Sequence, residues 1–461
     1  MTARRLALVF AAAMAVPAAA FAQASPEDKD LGLIPGAPAP VAAKAHAGTY
    51  YVENALTFAG ERGGLAPAPP GGGPQPWLDR LFVDANVTAP LSPGLSATVS
   101  GRANFRAEDD IDFPARENFR LNLREAYLSW APADGYYLDL GRVNLKSGVA
   151  LGYNPTDFFK TRAVVDVVSS DPSALRENRL GAVMLRGQAV LSRLSLTMAW
   201  APRLAHQTAL YANLDLPVFD PMLDRSNAHD RFLLKANVKL TDSFSPEAMV
   251  YQEGDRTRFG VNLTEAVGRS VVVYAEWAGG REGDLITEAM AYGHATGAIP
   301  PGAQQPLPSD PGQGFRNDLS LGASYTTPSR IVLNLEYHYH QAGLGRGDWD
   351  RWFAAGRAPA LARPLWYIRG YASDRGEPAS RQTAFLRFDW TDAWVRKLNL
   401  NGFANVDLYD GSALTEIAAD YLVSDRLTVG AIATANLGGR RTDFGSLAQG
   451  SSLLLKVARY F

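Results

Sequence analysis

The clearest pattern along the chain is a strict alternation of apolar and polar positions from Leu95 to Arg106. Leu95, Val99 and Phe105 share the apolar parity, and every residue of the other parity is polar. Successive side chains of a β-strand point to opposite faces, so this segment predicts a strand with one apolar and one polar face. Its length suits a tilted strand that crosses a membrane, which needs about 9–11 residues.

The same pattern recurs along the chain and predicts 18 strands, with 16 as the alternative count. An even number is typical of single-chain bacterial membrane barrels. Residues 47–461 are therefore predicted to form one all-β domain, a transmembrane antiparallel up-and-down β-barrel. The predicted strands are 48–59, 81–88, 95–106, 119–130, 136–144, 181–190, 193–202, 231–241, 246–254, 257–265, 270–279, 317–326, 330–340, 381–391, 396–408, 414–424, 427–436 and 451–461.

The connections between the predicted strands sort by length. If both termini lie in the periplasm, connections such as 89–94 and 425–426 are short on that side. The opposite side then has the long ones, among them 145–180, 203–230 and 341–380. Short turns at one end and long loops at the other are typical of outer-membrane barrels. A soluble β-sandwich has no reason to separate its loops this way, so the pattern favours the barrel.

The last predicted strand adds a second signal. Leu453, Leu455 and Val457 form an apolar face that ends on Phe461. In a membrane barrel, such a ring can lie in the interfacial aromatic girdle. The ending resembles that of bacterial outer-membrane barrels and implies recognition of Phe461 by the barrel-assembly machinery. It departs from the usual pattern at Arg459, where an aromatic or aliphatic residue is usual.

The first residues predict export. Arg4 and Arg5 precede a short apolar run and a small-residue cleavage site near residues 22 to 24, which is the pattern of a signal peptide. Residues 1–24 are predicted to be that signal peptide, and the Ala/Pro-rich 25–46 a periplasmic tail. The apolar run is too short for a membrane helix, which needs about 20 residues.

Composition narrows the possible functions. Removing Arg4 and Arg5 from the 45 basic residues leaves 43 against 47 acidic ones, so no bulk positive charge favours nucleic acid. The chain has no cysteine, so disulfides do not stabilise it. We expect no cofactor. The expected partners are outer-membrane lipid, lipopolysaccharide and a small anionic or saccharide solute.

Basic residues concentrate on the polar faces of the third to fifth predicted strands. An arginine that faces lipid costs about 2–4 kcal/mol at mid-bilayer, so we expect these residues to face the lumen or its rims. Guanidinium groups in a water-filled lumen favour anions or acidic polymers. The alternative is a structural lattice in which they pair with Glu125, Asp139 and other carboxylates. The residues are Arg102, Arg106, Arg120, Arg124 and Arg142, with Lys146 just beyond.

Two features modify this picture. The apolar parity changes between Leu123 and Ala126, which predicts a β-bulge near Glu125. The connection 145–180 is too long for a hairpin, and it contains the apolar run 163–168, which is costly to leave in water. We therefore expect 145–180 to pack inside the barrel as a constriction.

One short run suggests a family. It resembles the segment after an early strand in large outer-membrane porins and polysaccharide-export barrels, most closely those of the alginate-export type. The resemblance implies an 18-strand barrel with an arginine-rich pore. Asn154 and Asp157, which flank a proline turn, are predicted to line that pore. The run extends from Gly141-Arg142 through Asn154-Pro155-Thr156-Asp157-Phe158-Phe159.

Two clusters could bind metal, and each has a simpler interpretation. Glu108 to Asp112 could bind a divalent cation, but it lacks the spacing of an EF-hand and is typical of a solvated loop. Glu336, His338 and His340 share one face of a predicted strand. Neighbours at i and i+2 lie about 7 Å apart, which is long for two ligands of one ion. Lumen polarity is the default interpretation, and no metal site is predicted.

The sequence therefore predicts an outer-membrane channel for passive transport or export of a hydrophilic solute, anionic or polysaccharide. Alternatives are a non-selective diffusion porin, an uptake channel for hydrophobic compounds, and an outer-membrane hydrolase. The chain contains no Gly-x-Ser-x-Gly motif and only six histidines, so no enzyme is predicted.

Overall fold

The computed structural model describes residues 48–70, 73–108, 119–164, 169–210 and 218–461. The predicted signal peptide, the predicted tail and Asp109 to Asp112 lie outside the described residues. The strands are β1 Gly48–Glu61, β2 Trp77–Ser92, β3 Leu95–Glu108, β4 Phe119–Ala133, β5 Tyr136–Val143, β6 Ala182–Val190, β7 Leu194–Ala201, β8 Arg231–Val238, β9 Glu247–Glu253, β10 Arg256–Val267, β11 Val271–Glu282, β12 Gly314–Thr326, β13 Ile331–His340, β14 Gln382–Trp390, β15 Leu398–Asp407, β16 Ala413–Ser424, β17 Leu427–Leu437 and β18 Gln449–Tyr460. The helices are α1 Pro172–Glu177, α2 Leu223–Ser226, α3 Leu285–Ala295, α4 Arg346–Ala355 and α5 Pro359–Arg375.

The strands form one closed antiparallel barrel. Each strand pairs with its neighbour in sequence, and the 18-stranded sheet closes between β1 and β18. This seam runs from Tyr51 opposite Tyr460 to Glu61 opposite Gln449. Closure leaves the barrel without a free sheet edge. The predicted fold class and the count of 18 are confirmed, and the alternative count of 16 is wrong.

The outer face of the barrel is apolar. On β18, Leu453, Leu455 and Val457 are 44 to 51% exposed, whereas Leu454 and Ala458 on the other parity are buried. Large exposed apolar side chains recur on the outward parity of the other strands. A belt of this kind is the lipid-facing band of a transmembrane barrel.

Strand β3 shows how the alternating pattern is placed in the wall. Val99 and Phe105 are exposed on the outer face, whereas Ser100 and Asn104 are buried on the inner one. Between β3 and β4, Ser100 pairs with Glu125 and the next residue pairs with Leu123, so one residue of β4 is unpaired. The predicted bulge is therefore confirmed.

The long connections contain helices that the alternation does not predict. Asp284 caps α3 by accepting the Thr287 N–H at 2.7 Å, and α5 begins with a proline, which suits the first turn of a helix. Helices α3, α4 and α5 share an apolar core that includes Trp352, Leu365 and Ile368. Among the described helices, none is both long and apolar enough to cross a membrane.

This helical core joins several loops at the long-loop end of the barrel. The Trp366 indole of α5 donates to the Pro67 carbonyl in the β1–β2 connection at 3.2 Å. Arg369, also on α5, pairs with Asp443 in the β17–β18 connection at 2.6 Å. These connections belong to the first and last strands of the chain, which meet at the closure of the barrel, so the helices form a cap fixed to the rim beside that seam.

Candidate functional site in the barrel lumen

The connection between β5 and β6, here called the inner loop, folds into the barrel. It covers residues 144–181 and is described over 144–164 and 169–181. Two carboxylates of the inner wall bind its backbone. Glu336 of β13 accepts the Leu151 and Gly152 N–H groups at 2.7 and 2.8 Å. Glu276 of β11 accepts the Ala150 N–H at 2.5 Å and that of the preceding residue. Four successive N–H groups are thus satisfied by the wall.

Gly152 permits this close approach. A Cβ added there would lie 2.5 Å from Cγ of Phe385 and 2.7 Å from Cε1 of His338. Real Cβ atoms essentially never lie that close to another heavy atom, so any side chain would push the loop away from the wall. The glycine therefore sets how closely the inner loop packs against β13 and β14.

The inner loop also crosses to other strands. Ser169 Oγ donates to Glu416 of β16 at 2.6 Å, and Asp171 pairs with Arg387 of β14 at 2.5 Å. Near the return to β6, the Asn178 side-chain oxygen accepts hydrogen bonds from two arginines of β3 and β4. The predicted packing inside the barrel is confirmed for the described residues, and Val165 to Val168 lie outside them. Whether the loop narrows a solute path remains a prediction.

A buried ion pair fixes the two arms of the inner loop to each other. Asp157 accepts two hydrogen bonds from Arg179, at 2.7 and 3.1 Å, and Arg176 lies 3.7 Å away. Burial alone would raise the pKa of the Asp157 carboxyl, but Arg179 and Arg176 hold it below its ordinary value. At pH values above the ordinary carboxyl pKa, the pair therefore stabilises the folded loop. That contribution is lost as the pH falls through the lowered value.

We expect Asp157→Asn to destabilise the inner loop by about 3–5 kcal/mol, because it leaves the buried Arg179 guanidinium without a counter-charge. Protease cleavage within the loop and the temperature at which the barrel unfolds on a gel measure the effect. Glu177→Gln is the matched control, since Glu177 is 67% exposed and, among the described residues, forms its ion pair with Lys146. An exposed pair contributes about 0–1 kcal/mol. Equal behaviour of the two variants would contradict the role assigned to Asp157.

Some of the basic residues predicted to line the lumen form ion pairs with a carboxylate of the wall. Arg102 makes two hydrogen bonds of 2.7 Å to Asp84 of β2, and Arg124 lies 3.4 Å from the same carboxylate. The partner is thus Asp84, not the residues named in the sequence-based alternative. Glu125 instead accepts the backbone N–H of residue 144, and Asp139 pairs with an arginine of β6. One carboxylate therefore serves two guanidinium groups.

The other predicted basic residues lie apart. Arg106 is 37% exposed and pairs with Glu108 at 2.7 Å, and Arg120 is half-buried on β4. Lys146 pairs with the exposed Glu177 at 2.6 Å. Each of these three side chains keeps some solvent-accessible surface, so these residues lie in the more exposed part of the inner surface.

Arg142 lies within the wall. It is 3% exposed, and its guanidinium donates to the Leu123 and Pro221 carbonyls and to the Ser226 hydroxyl. The preceding Gly141 has a φ of 134°, a conformation that side-chain-bearing residues rarely adopt. Arg142 therefore joins β4 to the β7–β8 connection.

Asn154 holds the proline turn. Its side-chain N–H group donates to the Ser147 carbonyl at 2.8 Å, and its oxygen accepts from Thr156 Oγ1 at 3.3 Å. The structure thus brings Asn154 and Asp157 together in one turn. It also brings Arg102 and Arg124 together beside Asn178. The other predicted site residues lie apart from these two groups: Arg106, Arg120, Arg142 and Lys146.

The histidine cluster is engaged in hydrogen bonds. His338 Nε2 lies 2.8 Å from Glu336 and its Nδ1 lies 3.1 Å from the Thr383 hydroxyl. His340 Nδ1 lies 2.8 Å from Asp318. Within the described ranges, no group of three or more His, Cys, Asp or Glu side chains could hold a metal ion. These residues give polarity to the inner wall behind the inner loop.

Two neighbouring cavities lie toward the long-loop end. One has a volume of about 300 Å³ and the other about 30 Å³. They share Thr161, Glu253, Arg256 and Arg375 in their linings. Of the eight predicted site residues, only Asp157 lines either of them.

Comparison with known proteins adds little. No protein-family model and no curated protein matches the chain. Similar solved structures include a chain from work on the asymmetric conductivity of engineered proteins, at 12% identity, and a triple mutant of the Rhodopseudomonas blastica porin, at 10%. Each match covers 90% of this chain and 99% of the other, with a TM-score of 0.41. At this TM-score the likeness carries no argument, and the architecture rests on the strand pairing described above.

Proposed function

We propose that this protein is a passive channel of the bacterial outer membrane that admits hydrophilic solutes and prefers anions. The supporting observation is how the inner loop divides the charges of the lumen. The carboxylates of β11 to β16 that face the loop are buried, with Glu276, Glu336 and Glu416 at most 2% exposed. On β3 of the opposite wall, Arg106 is 37% exposed, and Lys146 near the start of the inner loop is 23% exposed.

A passing ion therefore meets different exposed charges on the two walls of the lumen. The acidic wall is covered by the loop backbone, whereas on the basic wall Arg106 keeps contact with water and Arg102 and Arg124 lie just beneath the surface. Charges at a narrow, low-dielectric site act more strongly on an ion than charges spread over a solvated surface. The lumen therefore attracts anions although the whole chain is slightly acidic.

A small solute fits this lumen better than a polymer. The arginines of β3 and β4 would suit an acidic polysaccharide, as the resemblance to alginate-export barrels implies. The inner loop, however, contacts β3, β4, β11, β13, β14 and β16, so a threaded chain would have to displace it. An uptake channel for hydrophobic compounds would need an apolar path, whereas the inner faces of β2 to β4 are mostly polar, with Phe82 as an exception.

The membrane location is part of the proposal. The apolar outer belt would contact outer-membrane lipid and lipopolysaccharide, and Phe461 would be the contact for the barrel-assembly machinery. Phe461 is 45% exposed, and its N–H donates to the Tyr50 carbonyl at 3.0 Å. The aromatic ring thus stays on the outside while the backbone is paired.

A pair of cysteine variants tests the channel directly, because the chain has no cysteine of its own. Asn86 is exposed on the inward parity of β2, and Val99 is 51% exposed on the outward parity of β3. In a planar bilayer, we expect a membrane-impermeant, charged thiol reagent to change the current of Asn86→Cys and not that of Val99→Cys. A barrel that conducts no ions, or one in which only Val99→Cys responds, would contradict the proposal.

A further inference from the structure

The cavity of about 300 Å³ at the long-loop end is built from parts that are far apart in the sequence. It lies between the inner loop, the β7–β8 connection, the β9–β10 turn and helices α3 and α5. Its volume is at the lower end of the range for small-molecule sites, about 300–1,000 Å³. A molecule of monosaccharide size is therefore the appropriate occupant.

Five guanidinium groups converge on this cavity, one each from the inner loop, α2, β8, β10 and α5. Four carboxylates share the lining, and Glu377 beside it pairs with Arg375 at 2.9 Å. Arginine binds a carboxylate through two parallel hydrogen bonds, and no other common side chain offers that geometry. The five are Arg162, Arg225, Arg231, Arg256 and Arg375.

Three of these arginines are held in place by two carboxylates. Asp374 accepts from Arg162 at 3.0 Å and from Arg225 at 2.8 Å. Glu288 accepts from Arg256 at 2.8 Å. Because the carboxylates fix the guanidinium planes before a ligand arrives, little side-chain entropy is lost on binding.

Arg231 lacks part of its hydrogen bonding. Its side chain is buried at 4% exposure and lies over the Phe159 ring, 4.7 Å from the ring centre. Its Nε has no hydrogen-bond partner in the part of the chain that the structure describes. A buried donor without an acceptor is costly, so the described part of the chain leaves one donor of Arg231 unsatisfied.

The rest of the lining suits hydroxyl groups and a ring. Tyr292 and Tyr371 add aromatic surface to the lining, with their ring centres 5.4 Å apart at an angle of 50° and the guanidinium groups of Arg162 and Arg375 over them. Glu253 at the end of β9 and Asp255 in the β9–β10 turn add hydrogen-bond acceptors. Guanidinium donors, carboxylate acceptors and aromatic faces together match a polyhydroxylated molecule that carries one negative charge.

We propose that this cavity binds a small hydroxylated carboxylic acid, a sugar acid with one carboxylate, as the solute of the channel. This inference rests on the proposed channel function and names its substrate class. The neighbouring cavity of about 30 Å³ shares Arg256 and Arg375 with the site. An acid bound in the larger cavity would therefore contact Arg256 and Arg375, which also line the smaller cavity beside the inner loop.

Calorimetric titration of the full-length barrel in detergent with sodium gluconate tests the site, with glucose as the uncharged counterpart. We expect gluconate to bind and glucose to bind at least about tenfold more weakly, since glucose lacks the carboxylate. Arg231→Gln and Arg256→Gln should each weaken gluconate binding by about tenfold or more. Arg256 is 43% exposed, so its variant keeps the test valid if Arg231→Gln does not fold.

Arg351→Gln is the matched control and should leave gluconate binding unchanged. Arg351 lies on α4 in the same cap, is 53% exposed and, within the part of the chain that the structure describes, pairs with Asp348. No gluconate binding, equal binding of glucose, or an unchanged affinity in Arg256→Gln would overturn the site. Potassium chloride conductance separates the two proposals. A conducting barrel that does not bind gluconate refutes only the site, and a barrel that binds gluconate without conducting refutes only the channel.

Discussion

Replacing residues 150–166 with a short Gly/Ser linker should raise the single-channel conductance in potassium chloride at least about twofold. An 18-stranded wall encloses a lumen wide enough for water, and the inner loop occupies it from Glu336 of β13 to Glu416 of β16. Removing the loop removes its obstruction without removing any strand. Planar-bilayer recording measures the change.

Two controls keep this result interpretable. The shift in gel mobility on heating shows that the shortened barrel is still closed. Glu276→Gln combined with Glu336→Gln leaves every loop residue present and weakens four backbone contacts to the wall. We expect a noisier current of intermediate size from this double variant. An unchanged conductance in the shortened barrel would show that the loop lies beside the ion path and not in it.

The unmodified channel should prefer chloride to potassium, and Arg102→Glu combined with Arg124→Glu should weaken or invert that preference. Two arginines share Asp84 in this part of the wall, so the double reversal changes the local charge by four. Loop charges more than about 10 Å away are largely screened at 0.1 M salt. The sign of the local charge should therefore decide the selectivity.

Reversal potentials under a potassium chloride gradient measure this preference. Arg330→Glu is the control, since Arg330 is 71% exposed in a short turn and should have little influence. Arg124→Gln is a milder variant and should give a smaller shift in the same direction. Cation preference in the unmodified channel would mean that the buried carboxylates still dominate the lumen, and the anionic part of the proposal would fail.

The strands were predictable because their signal is local. Leu95 to Arg106 alternates without a break, and the structure places β3 there with the apolar parity outward. The bulge in β4 was likewise visible as a change of parity. Each strand of a membrane barrel contacts lipid on one face and water on the other, so the alternation of apolar and polar residues repeats in every strand.

The contacts of the inner loop were not predictable in the same way. Glu276 binds the backbone of residue 149, which is 127 positions away, and a backbone N–H carries no sequence signature. Asp84 could have been found, because it shares the inward parity of β2 with Arg80 and Phe82. Arg142 was harder to place, since Gly141 has a positive φ that interrupts the simple alternation.

The helices in the long connections were missed for a different reason. Their apolar residues pack on one another, as Trp349, Trp352 and Phe353 do, and not against a strand. A search for period-two alternation does not detect this spacing. Pro364 within α5 further weakens the helical signal.

The seam between β1 and β18 has a consequence for the order of assembly. Tyr51 pairs with Tyr460, so the wall cannot close until nearly the whole chain is in place. Contacts between residues so far apart in the sequence slow folding. The inner loop touches β3 and β4 on one side and β11 to β16 on the other. While the sheet is still open, the loop can settle on the curved surface from the side. After closure it could reach the same contacts only through the mouth, past the helical cap, so loop docking before seam closure is the shorter route to the native barrel.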